Sequence, residues 1–207
     1  MKNVITSICL ALFIISASVT ITLNFRPLYY HDISTLKIEE TSGFSYKIIK
    51  SNYDSLIDYN QFFYSGNLKL TMPMSKEGRI HFAEVKQIFI FIQILCLITF
   101  ILSCFLMKDQ INQRNFDFLK TSSIITILLP GIIGILTAIN WDAAFTLFHK
   151  LLFRNNYWLF DEVTDPVIKI LPDTFFLHCA IMIISLIFVG SLLCIIFRSF
   201  FQHKFMI

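Results

Sequence analysis

Residues 87–107 read QIFIFIQILCLITFILSCFLM and lie between Lys86 and Lys108. These 21 residues contain no Asp, Glu, Lys or Arg. A membrane hydrocarbon layer roughly 30 Å thick needs about 20 such residues in a helix. A charged side chain at its centre would be costly, so charges are excluded there. The stretch therefore predicts a transmembrane helix.

Three further runs share this property, and they are Val4–Leu23, Thr121–Ile139 and Phe175–Phe197. Together the four runs hold 83 of the 207 residues. The whole chain is 56% apolar and 15% charged, whereas soluble domains are about 45–50% apolar and about 25% charged. This composition excludes a disordered chain and argues against a soluble globule. The net charge of +3 gives no reason to expect a nucleic-acid partner.

Positive charge is denser in the short connecting segments than in the long ones. Residues 1–3, 108–120 and 198–207 hold six Lys or Arg in 26 positions, whereas residues 24–86 and 140–174 hold 11 in 98. By the positive-inside rule, the short segments and both termini face the cytoplasm. The first run is longer than a typical secretory signal core, so we expect it to remain as an anchor.

These boundaries divide the chain into seven segments. They are the first transmembrane helix (1–23), an extracytoplasmic cap segment (24–86), the second transmembrane helix (87–107), a cytoplasmic loop (108–120), the third transmembrane helix (121–139), an extracytoplasmic and interfacial segment (140–174), and the fourth transmembrane helix with a cytoplasmic tail (175–207). The predicted fold class is all-α membrane: a four-transmembrane-helix bundle with a small extracytoplasmic α+β cap and an interfacial amphipathic helix.

Two patterns in the outer segments predict secondary structure. Residues 67–72 alternate between apolar and polar side chains and stop at Pro73, as is typical of a short β-strand. In residues 141–156, apolar side chains recur at the spacing of one helix face, and the helix they predict would lie at the membrane interface. That face carries Phe145, Phe148, His149, Leu152 and Phe153.

Histidines near the outer ends of the spans are the candidates for chemistry. The chain has no GxSxG, HExxH, phosphate-loop or GxGxxG pattern, and all five cysteines lie in or at the ends of spans. Three interpretations of His81, His149 and His178 are open. They are hydrogen-bonded packing residues, or they hold a metal or haem without any HxxxH spacing, or a buried neutral His149 is a general base.

Two longer motifs resemble a known family. One is Gly78-Arg-Ile-His-Phe-Ala-Glu-Val-Lys86, which leads into the second span. The other is Trp141-Asp-Ala-Ala-Phe-Thr-Leu-Phe-His149, followed by Phe153, Asn156-Tyr-Trp158, Asp161, Thr164-Asp-Pro166, Leu171-Pro172 and Phe175-Phe176. From about Tyr53 to the fourth span, the chain is similar to the bacterial lipoprotein intramolecular transacylase (Lit) family of four-span membrane proteins. Glu84 stands where that family carries Asp.

The resemblance implies a reaction, a site and a location. The substrate would be a lipoprotein with a diacylglyceryl-modified N-terminal cysteine, whose sn-2 acyl chain moves to the cysteine's own α-amino group to give the lyso form. His81 and His149 would be the catalytic pair, and we expect His149 to be the base. Supporting candidates are Glu84, Lys86, Asp142, Asn156, Trp158 and Asp161. The partners would be such lipoproteins and membrane lipid, without cofactor, metal or nucleic acid, at the extracytoplasmic face of the bacterial cell membrane.

The chemistry of such a transfer agrees with what the sequence lacks. Donor ester and acceptor amine belong to one molecule, so attack closes a ring of roughly eight atoms without an acyl-enzyme. The reaction needs a base for the ammonium, whose pKa is about 8, and a proton donor for the alkoxide. Asn156, Trp158 and Lys86 are candidates for stabilising the oxyanion. Two alternatives remain open at this stage: a non-catalytic membrane partner or subunit, and a His-ligated metal or haem protein.

Overall fold

The computed structural model describes residues 2–206, and all regular structure among them is helical. The helices in chain order are α1 (Lys2–Asn24), α2 (Arg26–Thr35), α3 (Ile38–Ser42), α4 (Tyr46–Tyr59), α5 (Lys76–Asn112), α6 (Asp117–Ile139), α7 (Trp141–Leu152), a 3₁₀ helix (Pro166–Ile170) and α8 (Asp173–Met206).

Four of these helices, α1, α5, α6 and α8, are long and apolar enough to cross a membrane. Their apolar side chains are widely exposed, as at Phe105, Leu128, Ile139 and Phe188. A water-soluble protein rarely exposes so much contiguous apolar surface, whereas lipid covers it without cost. The prediction of an all-α membrane protein with four spans is confirmed.

The chain forms two compact units, and α1, α5 and α8 contribute residues to both. The membrane unit consists of residues 2–21, 92–139 and 181–206. Its helices approach closely where side chains are small: a Cβ on Gly190 would lie 2.5 Å from Ile14 Cγ2. The hydroxyls of Ser123 and Ser191 bond to each other at 2.7 Å. Small residues and buried hydroxyls are what hold helices together in lipid.

The second unit, residues 22–91 and 140–180, contains four of the five histidines and is called the histidine unit here. Its core combines aliphatic side chains with packed aromatic rings. The Tyr29 ring is completely buried and stacks on Tyr53 with centroids 3.8 Å apart. The Tyr29 hydroxyl donates a hydrogen bond to the Ile170 carbonyl oxygen at 2.5 Å. This bond ties α2 to the 3₁₀ helix.

The predicted strand at residues 67–72 is wrong, because the described residues contain no strand. The apolar positions of the alternation do face inward: Met72 is buried, and Leu68 and Leu70 pack against the core. The backbone has no neighbouring strand, however, and the Thr71 N–H donates instead to Asn52 Oδ1 on α4 at 2.8 Å. A side-chain amide supplies a hydrogen bond that a strand partner would have supplied, so the α+β cap is helical with loops.

Candidate active site

His81 lies on the second turn of α5, and side chains fasten the start of this helix. The Gly78 N–H donates to Ser75 Oγ at 2.9 Å, which caps the helix. The Ser75 N–H donates to Asp165 Oδ1 at 2.8 Å, and the Thr164 hydroxyl donates to Asp165 Oδ2 at 2.8 Å. Because Gly78 has no Cβ, the Asp165 carboxylate packs directly against the turn. The position of His81 is therefore set from the helix start.

His149 lies near the C-terminal end of α7. This helix is capped by Asn140, whose Oδ1 accepts a hydrogen bond from the Ala143 N–H at 2.9 Å. One turn from the other end, His149 Nδ1 lies 2.8 Å from the Phe145 carbonyl oxygen. A carbonyl oxygen only accepts, so Nδ1 carries the proton and the neutral ring has its lone pair at Nε2.

The two imidazole rings lie close together. Their centroids are 6.1 Å apart and their planes are inclined by 31°. The buried Phe153 ring contacts both, with centroids 4.7 Å from His81 and 5.7 Å from His149. Only 6% of His81 and 9% of His149 is exposed. The structure thus brings together the two histidines that the sequence motifs singled out.

Aromatic rings enclose the pair. His149 stacks on Trp158 with centroids 4.7 Å apart and planes inclined by 28°, and it contacts Phe145 at 4.2 Å. His81 lies edge-on to Phe160 with centroids 5.4 Å apart. An apolar enclosure of this kind disfavours any charged form inside it.

Burial determines the protonation state of both rings. It lowers the pKa of His81 to about 4, with repulsion from His149 as the second cause. Burial also lowers the pKa of His149, against the opposing effects of the Phe145 carbonyl bond and the Asp173 charge. Both imidazoles are therefore neutral near pH 7, which is the state in which a ring can accept a proton.

Two of the supporting candidates lie on α5. Glu84 Oε1 accepts a hydrogen bond from Asn155 Nδ2 at 2.8 Å, which joins α5 to the loop after α7. Glu84 Oε2 is buried and has no hydrogen-bond partner among the described residues. Lys86 Nζ donates to the Tyr64 carbonyl oxygen at 2.8 Å and lies 4.2 Å from the Tyr59 ring centre. The Lys86 ammonium is therefore held by the segment after α4.

The other four candidates lie on α7 and in the loop that follows it. The Trp158 ring stacks on His149, and its Nε1 is buried without a hydrogen-bond partner in residues 2–206. Asn156 is exposed, and Asp142 is exposed in the first turn of α7. Asp161 is also exposed, and its Oδ1 accepts a hydrogen bond from the Val163 N–H at 2.8 Å, which shapes the loop. Of these four, Trp158 is the one in contact with the histidine pair.

Three residues of the site were not singled out as candidates by the sequence patterns: Asn155, Asp165 and Phe160. Asn155 holds Glu84, Asp165 holds the start of α5, and Phe160 covers His81. The sequence contained an indication of one of these contacts, the one that Asp165 makes at the start of α5. A glycine in the first turn of a helix, such as Gly78, indicates close approach of another group, but not which group approaches.

No group of three or more His, Cys, Asp or Glu side chains in the described part of the chain could hold a metal ion. His178, the third histidine of the metal hypothesis, has its Nδ1 2.8 Å from Asp32 Oδ2. Asp32 is almost completely buried, and this bond joins α8 to α2 within the histidine unit.

The family model and the solved structures that resemble this chain indicate one family. The sequence model of the family described as lipoprotein intramolecular transacylase Lit matches residues 4–176. The chain is 33% identical over 107 residues to an uncharacterized protein of Aquifex aeolicus (strain VF5). That match covers 52% of this chain and 49% of the relative, so it spans about half of the relative's length.

Solved structures of the membrane integral lipoprotein intramolecular transacylase Lit from Bacillus cereus are similar over nearly the whole chain. One is 37% identical, covers 98% of this chain and 95% of its own, and has a TM-score of 0.96. Two variants of that protein, in which a histidine is replaced by arginine or by alanine, each have a TM-score of 0.89 at the same identity. They cover 91% and 93% of their own chains.

Proposed function

The chain belongs to the lipoprotein intramolecular transacylase family, and from this membership we propose that it transfers an acyl chain within one lipoprotein molecule. The substrate carries a diacylglyceryl thioether on its N-terminal cysteine. The acyl chain leaves the sn-2 oxygen of the glyceryl group and joins the α-amino nitrogen of the same cysteine. The product is a lyso-form lipoprotein with one amide-linked and one ester-linked chain.

One observation carries the proposal: two buried, neutral histidines have ring centroids 6.1 Å apart in a protein with four membrane helices. Ester and amine belong to the same substrate, so the amine is the nucleophile and attack closes a ring of roughly eight atoms. The protein then needs to hold this geometry and move protons. A serine or cysteine nucleophile has no step to perform.

His149 is the base in this reaction. Its Nδ1–H is committed to the Phe145 carbonyl oxygen, so Nε2 offers the free lone pair. Burial lowers the pKa of His149 and keeps the ring neutral. The substrate ammonium loses two protons in becoming an amide nitrogen: one passes to solvent, and the other is available for the departing sn-2 oxygen. His149 Nε2 accepts a proton from this nitrogen.

His81 gives a proton to the departing sn-2 oxygen. Because burial lowers the pKa of His81 to about 4, the resting ring is neutral, and the proton that it gives must first arrive from the substrate nitrogen. This proton passes from the substrate nitrogen to His149 and then, by way of the substrate, to His81. The distance of 6.1 Å between the ring centroids supports such a transfer. Because its pKa is lowered, protonated His81 is a stronger acid than an ordinary histidine, which favours donation to an alkoxide. The C–O bond breaks as the proton arrives, and both rings return to neutral.

Trp158 is the donor that we assign to the tetrahedral oxyanion. Its Nε1–H is buried beside His149 and has no hydrogen-bond partner among the described residues. The other two candidates fit less well, since Asn156 is exposed and the Lys86 ammonium is bound to the Tyr64 carbonyl oxygen. A buried N–H that makes no bond in the resting protein can meet developing negative charge without first breaking one.

The site lies on the extracytoplasmic side, and both termini lie in the cytoplasm of a bacterial cell. The distribution of Lys and Arg supports this orientation. It also suits the chemistry, because a diacylglyceryl group at the N-terminus of an exported protein is held at the outer surface of the membrane. The sides proposed for the connecting segments follow from the same orientation, and the boundaries of the seven segments rest on the four apolar runs.

The test is mass spectrometry of lipoprotein N-terminal peptides from a host that expresses this chain and lacks its own N-acylating enzyme. The unchanged chain should yield lyso-form peptides. His149→Gln and His81→Gln should each slow their formation by about 10²–10⁴-fold, as expected for loss of a proton-transfer group. His31→Gln is the matched control, because His31 lies in the same unit and is exposed.

Each result distinguishes between two interpretations of the protein's function. If the unchanged chain leaves every peptide with a free amine and two ester-linked chains, the protein is not a transacylase, and a non-catalytic partner or subunit becomes the better interpretation. If lyso-form peptides accumulate at an unchanged rate in both His→Gln variants, the activity stands and the histidine pair is wrong. Haem absorbance in the purified protein would favour the metal or haem alternative.

A further inference from the structure

The segment between α4 and α5 carries two phenylalanines that are directed away from the core. Phe62 is 55% exposed and Phe63 is 73% exposed, and their rings contact each other edge-to-face with centroids 5.4 Å apart. Residues 60–66, called the Phe loop here, end at Gly66. Exposure of two adjacent phenylalanine rings to water is unfavourable, because each ring has a large apolar area that could be buried against an apolar partner.

Lys86 fixes the position of the Phe loop along α5. Its Nζ donates to the Tyr64 carbonyl oxygen at 2.8 Å. The same ammonium lies 4.2 Å from the ring centre of Tyr59 and 5.0 Å from that of Tyr64, on either side of the phenylalanines in sequence. A charge-assisted hydrogen bond and two cation–π contacts converge on one side chain. The Phe loop therefore lies beside the fifth residue after His81 on α5.

Lys86 is also the last charge before α5 enters lipid. The run from Gln87 to Met107 contains 21 uncharged residues and ends at Lys108. At about 1.5 Å per residue such a helix spans roughly 30 Å, the thickness of the hydrocarbon layer. Phe91, one turn beyond Lys86 on α5, is already 65% exposed. Lys86 thus marks the level of the outer boundary between headgroups and acyl chains.

We propose that the Phe loop inserts Phe62 and Phe63 into the acyl chains of the outer leaflet, so that the partner of this surface is lipid. Lys86 ties the Phe loop to the residue at which the apolar run of α5 begins, which places the loop at the level of the lipid boundary. The aromatic types agree with this depth. Tyr59 and Tyr64, which have a polar hydroxyl, surround the Lys86 ammonium, whereas the two rings without any polar atom are the most exposed.

This lipid contact is independent of the proposed reaction, and its test needs no substrate. Phe63→Trp and, separately, Phe62→Trp place a fluorescent ring at the loop tip. The full chain is reconstituted into dioleoylphosphatidylcholine vesicles, with or without bromination of the acyl chains. The parent chain, which has Trp141 and Trp158, is measured alongside, and its signal is subtracted. The control is Tyr46→Trp, at an exposed position next to Lys47 at the start of α4.

Brominated lipid should quench the added fluorescence of the two loop variants at least threefold more than that of Tyr46→Trp. Aqueous iodide should show the opposite order. Quenching of both loop variants by iodide with no effect of brominated lipid would overturn the proposal. The same holds if iodide quenching is relieved only when a lipoprotein is added, because the surface would then bind protein. Neither result bears on the proposed transacylase activity.

Discussion

Trp158 has two features that matter for the proposed chemistry, and one substitution can separate them. Its ring stacks on His149 with centroids 4.7 Å apart, and its buried Nε1 lacks a partner among residues 2–206. Phenylalanine in its place keeps a stacked ring and removes the N–H donor. We expect Trp158→Phe to lower kcat by about 10²–10³-fold with little change in KM, because the lost bond forms in the transition state.

A matched control exists on α7. The Trp141 Nε1 is also buried without a partner in the described residues, and its ring lies 5.6 Å from Phe145. It does not stack on either histidine of the proposed catalytic pair, so Trp141→Phe should keep kcat within a few-fold of the unchanged chain. Equal losses in the two variants, measured as initial rates on a diacylglyceryl peptide in detergent, would show that an indole N–H has no special role at Trp158.

His81 gives the folded protein a dependence on pH that can be measured without substrate. Its pKa is about 4 in the folded chain, against about 6.5 when unfolded. Above pH 6.5 the ring is neutral in both states, and stability does not depend on it. As the pH falls from 6.5 towards 4, the unfolded chain takes up the proton and the folded chain does not, so the free energy of unfolding falls. The total loss is about 3 kcal/mol.

His81→Gln should therefore lose less thermal stability between pH 7 and pH 4.5 than the unchanged chain, as measured by the Tm of the detergent-solubilised protein. The other acid-sensitive groups are shared by both proteins and cancel in the comparison, apart from the repulsion between His81 and His149. His31→Gln, at an exposed position of the same unit, should follow the unchanged chain. Parallel Tm curves for His81→Gln and the unchanged chain would contradict the buried neutral state of His81.

At the residue scale, the sequence motifs singled out the proposed catalytic pair and not the residues that hold it. His81 and His149 stand in long motifs, and their neighbours in the chain supply the helix face. Asn155, however, meets Glu84 across 71 positions of sequence, and Asp165 meets Ser75 across 90. Neither pairing has a periodic pattern, because a single hydrogen bond between loop and helix imposes none. Such contacts follow from the fold and could not be read before it.

The start of α5 is held by an arrangement that tolerates no side chain at Gly78. A Cβ there would overlap the Asp165 carboxylate, which also accepts the Ser75 N–H. Gly78→Ala should lower the free energy of unfolding by about 1–3 kcal/mol, as overpacking does elsewhere. It should also lower activity, because His81 lies one turn further along the same helix.

The double variant Gly78→Ala/Asp165→Ala separates overlap from any other effect of alanine. Asp165→Ala alone removes two hydrogen bonds and destabilises the protein. With the carboxylate gone, the Cβ at position 78 has room, so the second substitution should cost at least 1 kcal/mol less than it does alone. Additive losses of Tm across the four proteins would exclude direct overlap as the cause.

Among the elements, the sequence pattern predicted the helices whose apolar side chains face lipid or lie along one helix face. They are the four spans and the amphipathic α7. The short helices α2 and α3 do not show in the pattern, since they are fixed by buried contacts such as Tyr29 with Tyr53 rather than by an apolar stripe. Residues 67–72 show the converse: alternation identified the inward side chains, but a strand also needs a partner strand, and Asn52 takes part of that role.

The proposed orientation in the membrane rests on charge, and two ion pairs of the membrane unit place the ends of α1 and α8 on one common side. Lys2 Nζ lies 3.1 Å from Asp109 Oδ2, and Arg198 Nη2 lies 2.9 Å from Asp117 Oδ1. Exposed ion pairs contribute little stability, but these two place the start of α1 and the last turns of α8 beside residues 108–120. Lys2 and the last turns of α8 therefore lie on the side of the membrane unit that carries residues 108–120, and we propose from the positive-inside rule that this side faces the cytoplasm.

Cysteine accessibility in whole cells tests this orientation. Ser51→Cys is exposed on α4 of the histidine unit, and Asn112→Cys is exposed at the end of α5. A membrane-impermeant maleimide should label Ser51→Cys once the cell envelope outside the cytoplasmic membrane is made permeable. It should label Asn112→Cys only after the cytoplasmic membrane itself is permeabilised. The parent chain, whose five cysteines are free, gives the background. The reverse order of labelling would put the histidine pair in the cytoplasm, where an exported lipoprotein's N-terminus could not reach it, and would overturn the proposed function together with the topology.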